Sequence, residues 1–205
     1  MNVEEAIRTR RSTRHYDTTR PVERHQIEEL IELANLAPSS FNLQHWKFIV
    51  VDDDPEWKQK LHALALRQQQ ILDAAATLIV IADPGVYLEA ETHFDEWPLD
   101  KSTKDKYVGM AMKLYDPSTS RAARDEALRS VGLWATTFML AAWDRGLATG
   151  PMIGFNAAGV AKAFDIQEPM FPAMLITVGY PGTAPGPRFS RRPISEVLRW
   201  NEGRF

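Results

Sequence analysis

A layered domain that mixes α-helices with buried β-strands is the fold class this sequence predicts, and three observations predict it. Three apolar runs of strand length, WKFIVV (46–51), TLIVIA (77–82) and AMLITVG (173–179), are flanked by turn-forming residues. Segments with helical periodicity separate them. The chain has 205 residues, 44% hydrophobic and 25% charged, a composition that supports one real core. Helices alternating with central apolar strands give an α/β or α+β layering.

In chain order, residues 3–9 predict a short helix, and the basic stretch RTRRSTRHYDTTRPV after it reads as a loop or extended segment. Residues 24–37 fit a helix with Ile27, Leu30, Ile31 and Ala34 on one face, ended by Pro38. The loop APSSFNLQHW leads into the first strand, and Asp52–Pro55 turns the chain into a helix from Glu56 to about Arg67. After the second strand, residues 86–120 mix aromatics with charges and show little periodicity, as expected of an insertion or lid. Residues 121–145 carry the strongest helix signal, with Ala127, Val131, Trp134, Ala135, Phe138 and Ala142 on one face. Leu128, Leu133, Met139, Leu140 and Trp143 make the other faces apolar too, so the helix is expected to be buried almost all round. One chain of this size hardly covers such a helix, and a subunit interface is the natural outlet. Gly146 ends it, LATGPMIGF is a short extended segment and turn, and residues 156–164 read as a helix capped by Asn156. A Pro/Gly-rich arm with a short terminal helix follows the third strand. The reading is one domain, 1–205, with a variable segment at 86–120 and an arm at 183–205.

Composition excludes several functions. Cysteine is absent, which removes disulfides, thiolate nucleophiles, iron–sulfur clusters and Cys-ligated zinc; redox chemistry here needs a borrowed cofactor. The histidines at 15, 25, 45, 62 and 93 form no metal-binding spacing, and neither GxGxxG nor GxxxxGK[ST] occurs. A net charge of −3 offers no overall basic field for nucleic acid. No apolar run reaches the roughly 20 residues of a spanning helix, and the N-terminal stretch lacks an apolar signal core. The expectation is a cytoplasmic protein with neither a nucleic-acid nor a membrane partner.

Four constellations could carry chemistry. Arg10, Ser12 and Arg14 alternate in an extended segment beside Arg8 and Arg11, so they could face one anion; the segment equally fits a solvated loop pairing with Glu4, Glu5 or Asp17. Pro38, Ser39, Ser40, Asn42 and Gln44 offer neutral donors and acceptors suited to a polar heterocycle, or simply satisfy their own backbone at a helix end. Thr149-Gly150-Pro151-Met152-Ile153-Gly154-Phe155 admits close backbone approach to a flat ligand, or is a plain turn. Arg188, Arg191 and Arg192 supply a second basic cluster, or a solubilising tail.

Their order along the chain decides between these readings. With RRS-x-R near residue 10, PSS-x-N-x-Q followed by W-x-F-I-V-V, a GPM-x-GF-like segment near 150 and an RRP arm, the chain resembles the flavin-dependent nitroreductase family along nearly its whole length. The resemblance implies a three-layer α/β/α fold of the α+β class, with a mixed central sheet and an intertwined homodimer holding FMN at its interface. It implies a ping-pong oxidoreductase that moves a hydride from NAD(P)H through the flavin to nitroaromatics, quinones or similar conjugated small molecules. Enone reduction, dehalogenase-like chemistry and flavin fragmentation occur on the same scaffold, and a non-enzymatic flavin-binding role is the remaining alternative. By this resemblance Arg10, Ser12 and Arg191 hold the phosphate, and Arg11 contributes mainly backbone. Arg14 and Gln70 lie at the pyrimidine edge, and Arg67 stands where the family often has Asn. Pro151, Met152, Ile153 and Gly154 lie against the flavin, and Pro38, Ser39, Ser40 and Asn42 come from the partner chain. No protein side chain is assigned a catalytic role, since the flavin carries the chemistry, and no metal is expected. Two departures stand out. Ile153 occupies a position where some members carry Glu. Phe189 stands where a Lys is common, so Arg188 or Arg192 would have to replace that charge. Tyr87, Phe94, Trp97, Tyr107 and Met110 either line the acceptor pocket or pack the 86–120 segment.

Overall fold

The structure, a computed structural model, describes residues 1–118, 121–184, 186–201, 203 and 204. Residues 119 and 120 of the expected insertion, and 185, 202 and 205 of the expected arm, lie outside the described residues. Four strands form the sheet: β1 (Trp46–Val51), β2 (Ala76–Ala82), β3 (Ala148–Met152) and β4 (Phe171–Gly179), in the order β1-β2-β4-β3. All three pairings are antiparallel. The parallel component expected of a mixed sheet is confined to one isolated bridge, Ser12 with Thr149. β2 is paired on both sides and buried along its whole length, which explains its unbroken apolar run.

Helices cover both faces. The sequence sets their ends through caps: Asn2 Oδ1 accepts from Glu5 N at α1 (Val3–Thr9), and Asp54 Oδ1 accepts from Glu56 N and Trp57 N at α3 (Pro55–Leu64). α2 (Arg24–Ala34) stops before Pro38: Asn35 is its C-cap, and Leu36 and Ala37 continue only as i→i+3 turns. α3 likewise ends short of Arg67, because Leu66 and Arg67 take left-handed backbone angles. A single turn, α4 (Gln70–Asp73), then leads into β2; four residues are too few for periodicity to reveal.

The expected insertion is helical. A 3-10 turn at Val86–Glu89, α5 (Ala90–Asp95) and α6 (Lys101–Leu114) pack a separate small core. In it Tyr87, Phe94, Ala111 and Tyr115 are buried with Leu43, and Phe41, Trp97 and Tyr107 pack against them. Of the five residues singled out there, four make this core and Met110 stays 47% exposed. Helical periodicity was weak because so small a core asks each helix for only one or two buried positions.

α7 (Ala122–Asp144) crosses the main core, with α8 (Ala157–Ala163) beyond β3 and α9 (Ile194–Val197) near the end of the arm. It buries Ala127, Val131, Trp134, Ala135, Phe138 and Ala142, the face its periodicity marks. Within one chain it is not buried all round, since Leu128 and Leu133 remain 38% and 47% exposed. Gly146, at φ +75°, ends the helix and turns the chain into β3. Among the described residues no helix is long and apolar enough to cross a membrane.

Candidate functional site

Residues 12–17 are fastened to the open edge of the sheet. Thr13 N donates to Thr149 O at 2.9 Å, Asp17 N to Tyr180 O at 3.0 Å and Gly182 N to His15 O at 3.0 Å. The buried Tyr16 hydroxyl lies 2.7 Å from Thr177 Oγ1. Thr13 and Tyr16 are buried by these attachments, and Ser12 and Arg14 stay exposed.

Two cavities meet along this segment. The first, about 530 Å³, is walled by residues 10–15 on one side and by the arm on the other, with Arg188, Phe189 and Arg191 among the arm's contributions. The second, about 270 Å³, is lined by Gln68, Gln70 and residues 150–154. Ser12, Thr13 and Arg14 line both, so the two adjoin as one groove, cationic at one end and, Arg14 aside, neutral at the other.

The cationic end gathers five guanidinium groups, those of Arg10, Arg11, Arg14, Arg188 and Arg191. Arg11 Nη1 and Arg188 Nη2 are committed to backbone carbonyls of residues 7–10, and Arg191 donates to Phe189 O at 3.0 Å. Arg10 differs: its Nη1 is buried and meets no acceptor among the described residues. Burial, and then the charges of Arg188, Arg11 and Arg191, push its pKa below the usual arginine value. A half-buried guanidinium whose Nη1 lacks an acceptor among the described residues, surrounded by like charges, is costly, and an oxyanion would relieve it.

The neutral end presents unpaired polar atoms as well. Gln70 Oε1 and Thr13 Oγ1 are buried without partners among the described residues, while Gln70 Nε2 donates to Gln68 Oε1 at 3.2 Å and Gln68 Nε2 to Gly154 O at 2.9 Å. Gly150 is required here: a Cβ on it would lie 2.5 Å from Thr13 O and 2.6 Å from Thr177 Oγ1. Ile153 projects from the rim, 82% exposed.

Of the residues singled out in the sequence, the structure brings together Arg10, Arg11, Ser12, Arg14, Gln70, Pro151, Met152, Ile153, Gly154 and Arg191 on this groove. Arg67 is exposed beside it, and Arg192 is exposed in the arm; neither lines either cavity. Pro38, Ser39, Ser40 and Asn42 lie elsewhere on the chain, in a loop where Phe41, Asn42 and Gln44 all take positive φ. That loop is held internally, with Gln44 N donating to Ser39 Oγ at 2.9 Å. Thr13 and Gln68 also line the groove without having been singled out. The signal for Gln68 was its place two residues before Gln70; Thr13, between Ser12 and Arg14, gave none.

The profile of the Nitroreductase family matches residues 7–180, a span that contains the whole sheet and both walls of the neutral end. The chain belongs to the nitroreductase family. Among its relatives is MhqN of Bacillus subtilis (strain 168), provisionally named an NAD(P)H nitroreductase, which is 33% identical over 199 residues, 95% of this chain and 96% of MhqN. Two solved structures share the fold closely. The ydfN protein of Bacillus subtilis, provisionally named a nitroreductase, superposes with a TM-score of 0.90 at 33% identity, covering 96% of this chain and 97% of that one. A protein of Exiguobacterium sibiricum 255-15, also provisionally named a nitroreductase and solved in complex with FMN, gives 0.89 at 29% identity, covering 98% of each chain.

Proposed function

We propose that this chain is an NAD(P)H-dependent flavin oxidoreductase that holds FMN along the groove, with the phosphate at the arginine end. The observation that carries the reading is Arg10, whose buried Nη1 lacks an acceptor at the head of a groove that becomes neutral and glycine-lined farther on. The donor set fits a phosphate monoester joined to a flat, polar heterocycle. Arg10, Ser12 and Arg191 would hold the phosphate, and Arg11 would hold its own loop together. Arg14 and Gln70 would meet the heterocycle's polar edge, where a fixed positive charge stabilises added negative charge. Residues 151–154 would lie along its face. FMN, when bound, supplies the two-electron chemistry that links a nicotinamide donor to an acceptor. Nitroaromatics, quinones and similar conjugated molecules are the acceptors proposed, with donor and acceptor using the same open groove in turn, as a ping-pong scheme requires.

We further propose a single-domain, cytoplasmic enzyme acting as a homodimer. The exposed Leu128 and Leu133 on α7 support an apolar partner surface, and residues 38, 39, 40 and 42 would then reach the groove of the second copy.

Titration of FMN into wild type and Arg10→Ala tests the placement. Loss of one charge-assisted contact should weaken binding by about 1.5–3 kcal/mol, roughly 10- to 150-fold. Equal affinities would remove Arg10 from the site. For the activity, a protein that retains FMN but is bleached by neither NADH nor NADPH would sink the oxidoreductase reading.

A further inference from the structure

The arm reaches the groove through very few fastenings. Its first anchor is Gly182 N to His15 O. Beyond it, among the described residues 183–192, the hydrogen bonds to the body of the chain come from Arg188. Arg188 Nη2 donates to Ile7 O at 3.0 Å, Arg8 O at 3.2 Å and Arg10 O at 2.7 Å. These carbonyls are those the C-terminal turn of α1 leaves without intrahelical partners, at the end where a cation is favoured. Arg11 Nη1 shares the same task, donating to Arg8 O, Thr9 O and Arg10 O at 2.8–3.1 Å. Between the two anchors the arm bridges the first cavity, with Thr183, Ala184, Gly186 and Pro187 on its wall.

Closing this bridge brings Arg188 and Arg191 up to Arg10 and Arg11, with Arg10 left unpaired. The latch therefore works against repulsion among these guanidiniums and that of Arg14 on the same cavity, and a bound oxyanion would reverse that sign. We propose that Arg188 is a positioning residue, the latch of a strap (residues 183, 184 and 186–192) that an oxyanion bound by Arg10 and Arg191 holds closed over the cavity. Arg188 orders the site through backbone carbonyls, while Arg10 and Arg191 meet the anion. The identity of that oxyanion as the flavin phosphate rests on the function proposed above; the latch itself does not.

The test uses the full-length chain as wild type, Arg188→Ala and Arg188→Lys. Chymotrypsin cleaves after Phe189 only when several strap residues on either side lift off the body, so cleavage with and without millimolar inorganic phosphate reports strap opening although the Phe189 ring is itself exposed. Release of FMN and of riboflavin, which lacks the phosphate, is followed by fluorescence. Phosphate should slow cleavage of wild type severalfold. Both variants should be cleaved about tenfold faster, without protection, and should release FMN about tenfold faster with riboflavin changed less than about twofold. The lysine variant is decisive, since it keeps the charge on a shorter side chain whose ammonium falls short of the carbonyls that Arg188 Nη2 reaches. If it matches wild type, charge alone suffices and the latch is overturned. Equal loss of FMN and riboflavin, or phosphate that fails to slow wild-type cleavage, also overturns it. Phosphate protection that depends on Arg188 in a chain that retains no FMN would keep the latch and defeat the flavin reading. Retained FMN with an unaltered lysine variant would do the reverse.

Discussion

The hydroxyl of Tyr115 donates to Ser40 Oγ at 2.6 Å, tying the end of the 86–118 segment to the polar loop that precedes β1. Phe41, from the same loop, packs edge-on against Tyr115 with centroids 6.2 Å apart. The small helical core and the 38–44 loop therefore hold each other. Tyr115→Phe keeps the ring and removes the hydrogen bond, so urea denaturation should report a loss of about 0.5–1.5 kcal/mol. If residues 38–42 serve a second copy's groove, the same variant should release FMN faster. Unaltered stability would show that Ser40 is equally satisfied by water.

Asn35 joins α2 to the main core through one atom. Its Oδ1 accepts from Trp46 Nε1 at 3.1 Å and from Trp134 Nε1 at 2.9 Å, and both indoles are buried. Asn35→Ala strands two buried donors at once, a cost of about 2–4 kcal/mol. Equilibrium unfolding in urea measures it. A loss below about 1 kcal/mol would mean that water reaches both indoles.

The contrast between these residues explains how much the sequence disclosed. The strands and the buried face of α7 were legible because burial repeats locally, as in the run from Ala127 to Ala142. Asn35 fell inside the helix expected over 24–37 and carried no signal of its own, since its partners lie 11 and 99 residues away. α5 and α6 were unreadable for a related reason: the contacts that stabilise them include Phe41 and Leu43, outside the segment. In the groove, residue types and motif order marked Arg10, Ser12 and 151–154, and the family resemblance alone pointed to Gln70. No local pattern says that Arg188 spends its donors on carbonyls 178–181 residues away, or that Arg67 turns out at a left-handed backbone position while Gln68 turns in.

Gly150 and Gly109 make a matched pair. At Gly150 a methyl group would meet two oxygens inside 2.7 Å, one of them backbone, so Gly150→Ala must push the 12–14 segment off β3. The expected result is a loss of about 1–3 kcal/mol, together with weakened FMN binding. At Gly109, exposed on α6, nothing lies within 4 Å, and Gly109→Ala should stabilise by about 0.5–1 kcal/mol through helix propensity. Thermal melts of both variants check the signs. A Gly150→Ala protein as stable as wild type would refute the close packing of Thr13 on β3.

His45 gives the fold a pH dependence of defined sign. Its ring is fully buried, Nδ1 lies 3.3 Å from Asp83 O, and Nε2 has no partner among the described residues. The Tyr115 ring stands edge-on to it at 5.5 Å. Burial pushes its pKa below the ordinary histidine value, against weaker opposing effects from the Asp83 carbonyl and the charges of Glu126 and Asp83. The folded chain thus keeps His45 neutral at pH values where the unfolded chain, titrating near 6.5, takes up a proton. Because the unfolded state binds more protons in that window, stability falls as pH drops below about 6.5 and levels off once the folded pKa is passed. His45→Gln removes this proton uptake. Urea midpoints measured at about pH 7.5 and 5.5 should therefore differ less in the variant than in wild type. An equal or larger difference in the variant would mean that His45 is already protonated inside the fold, with Nε2 donating to an acceptor such as ordered water.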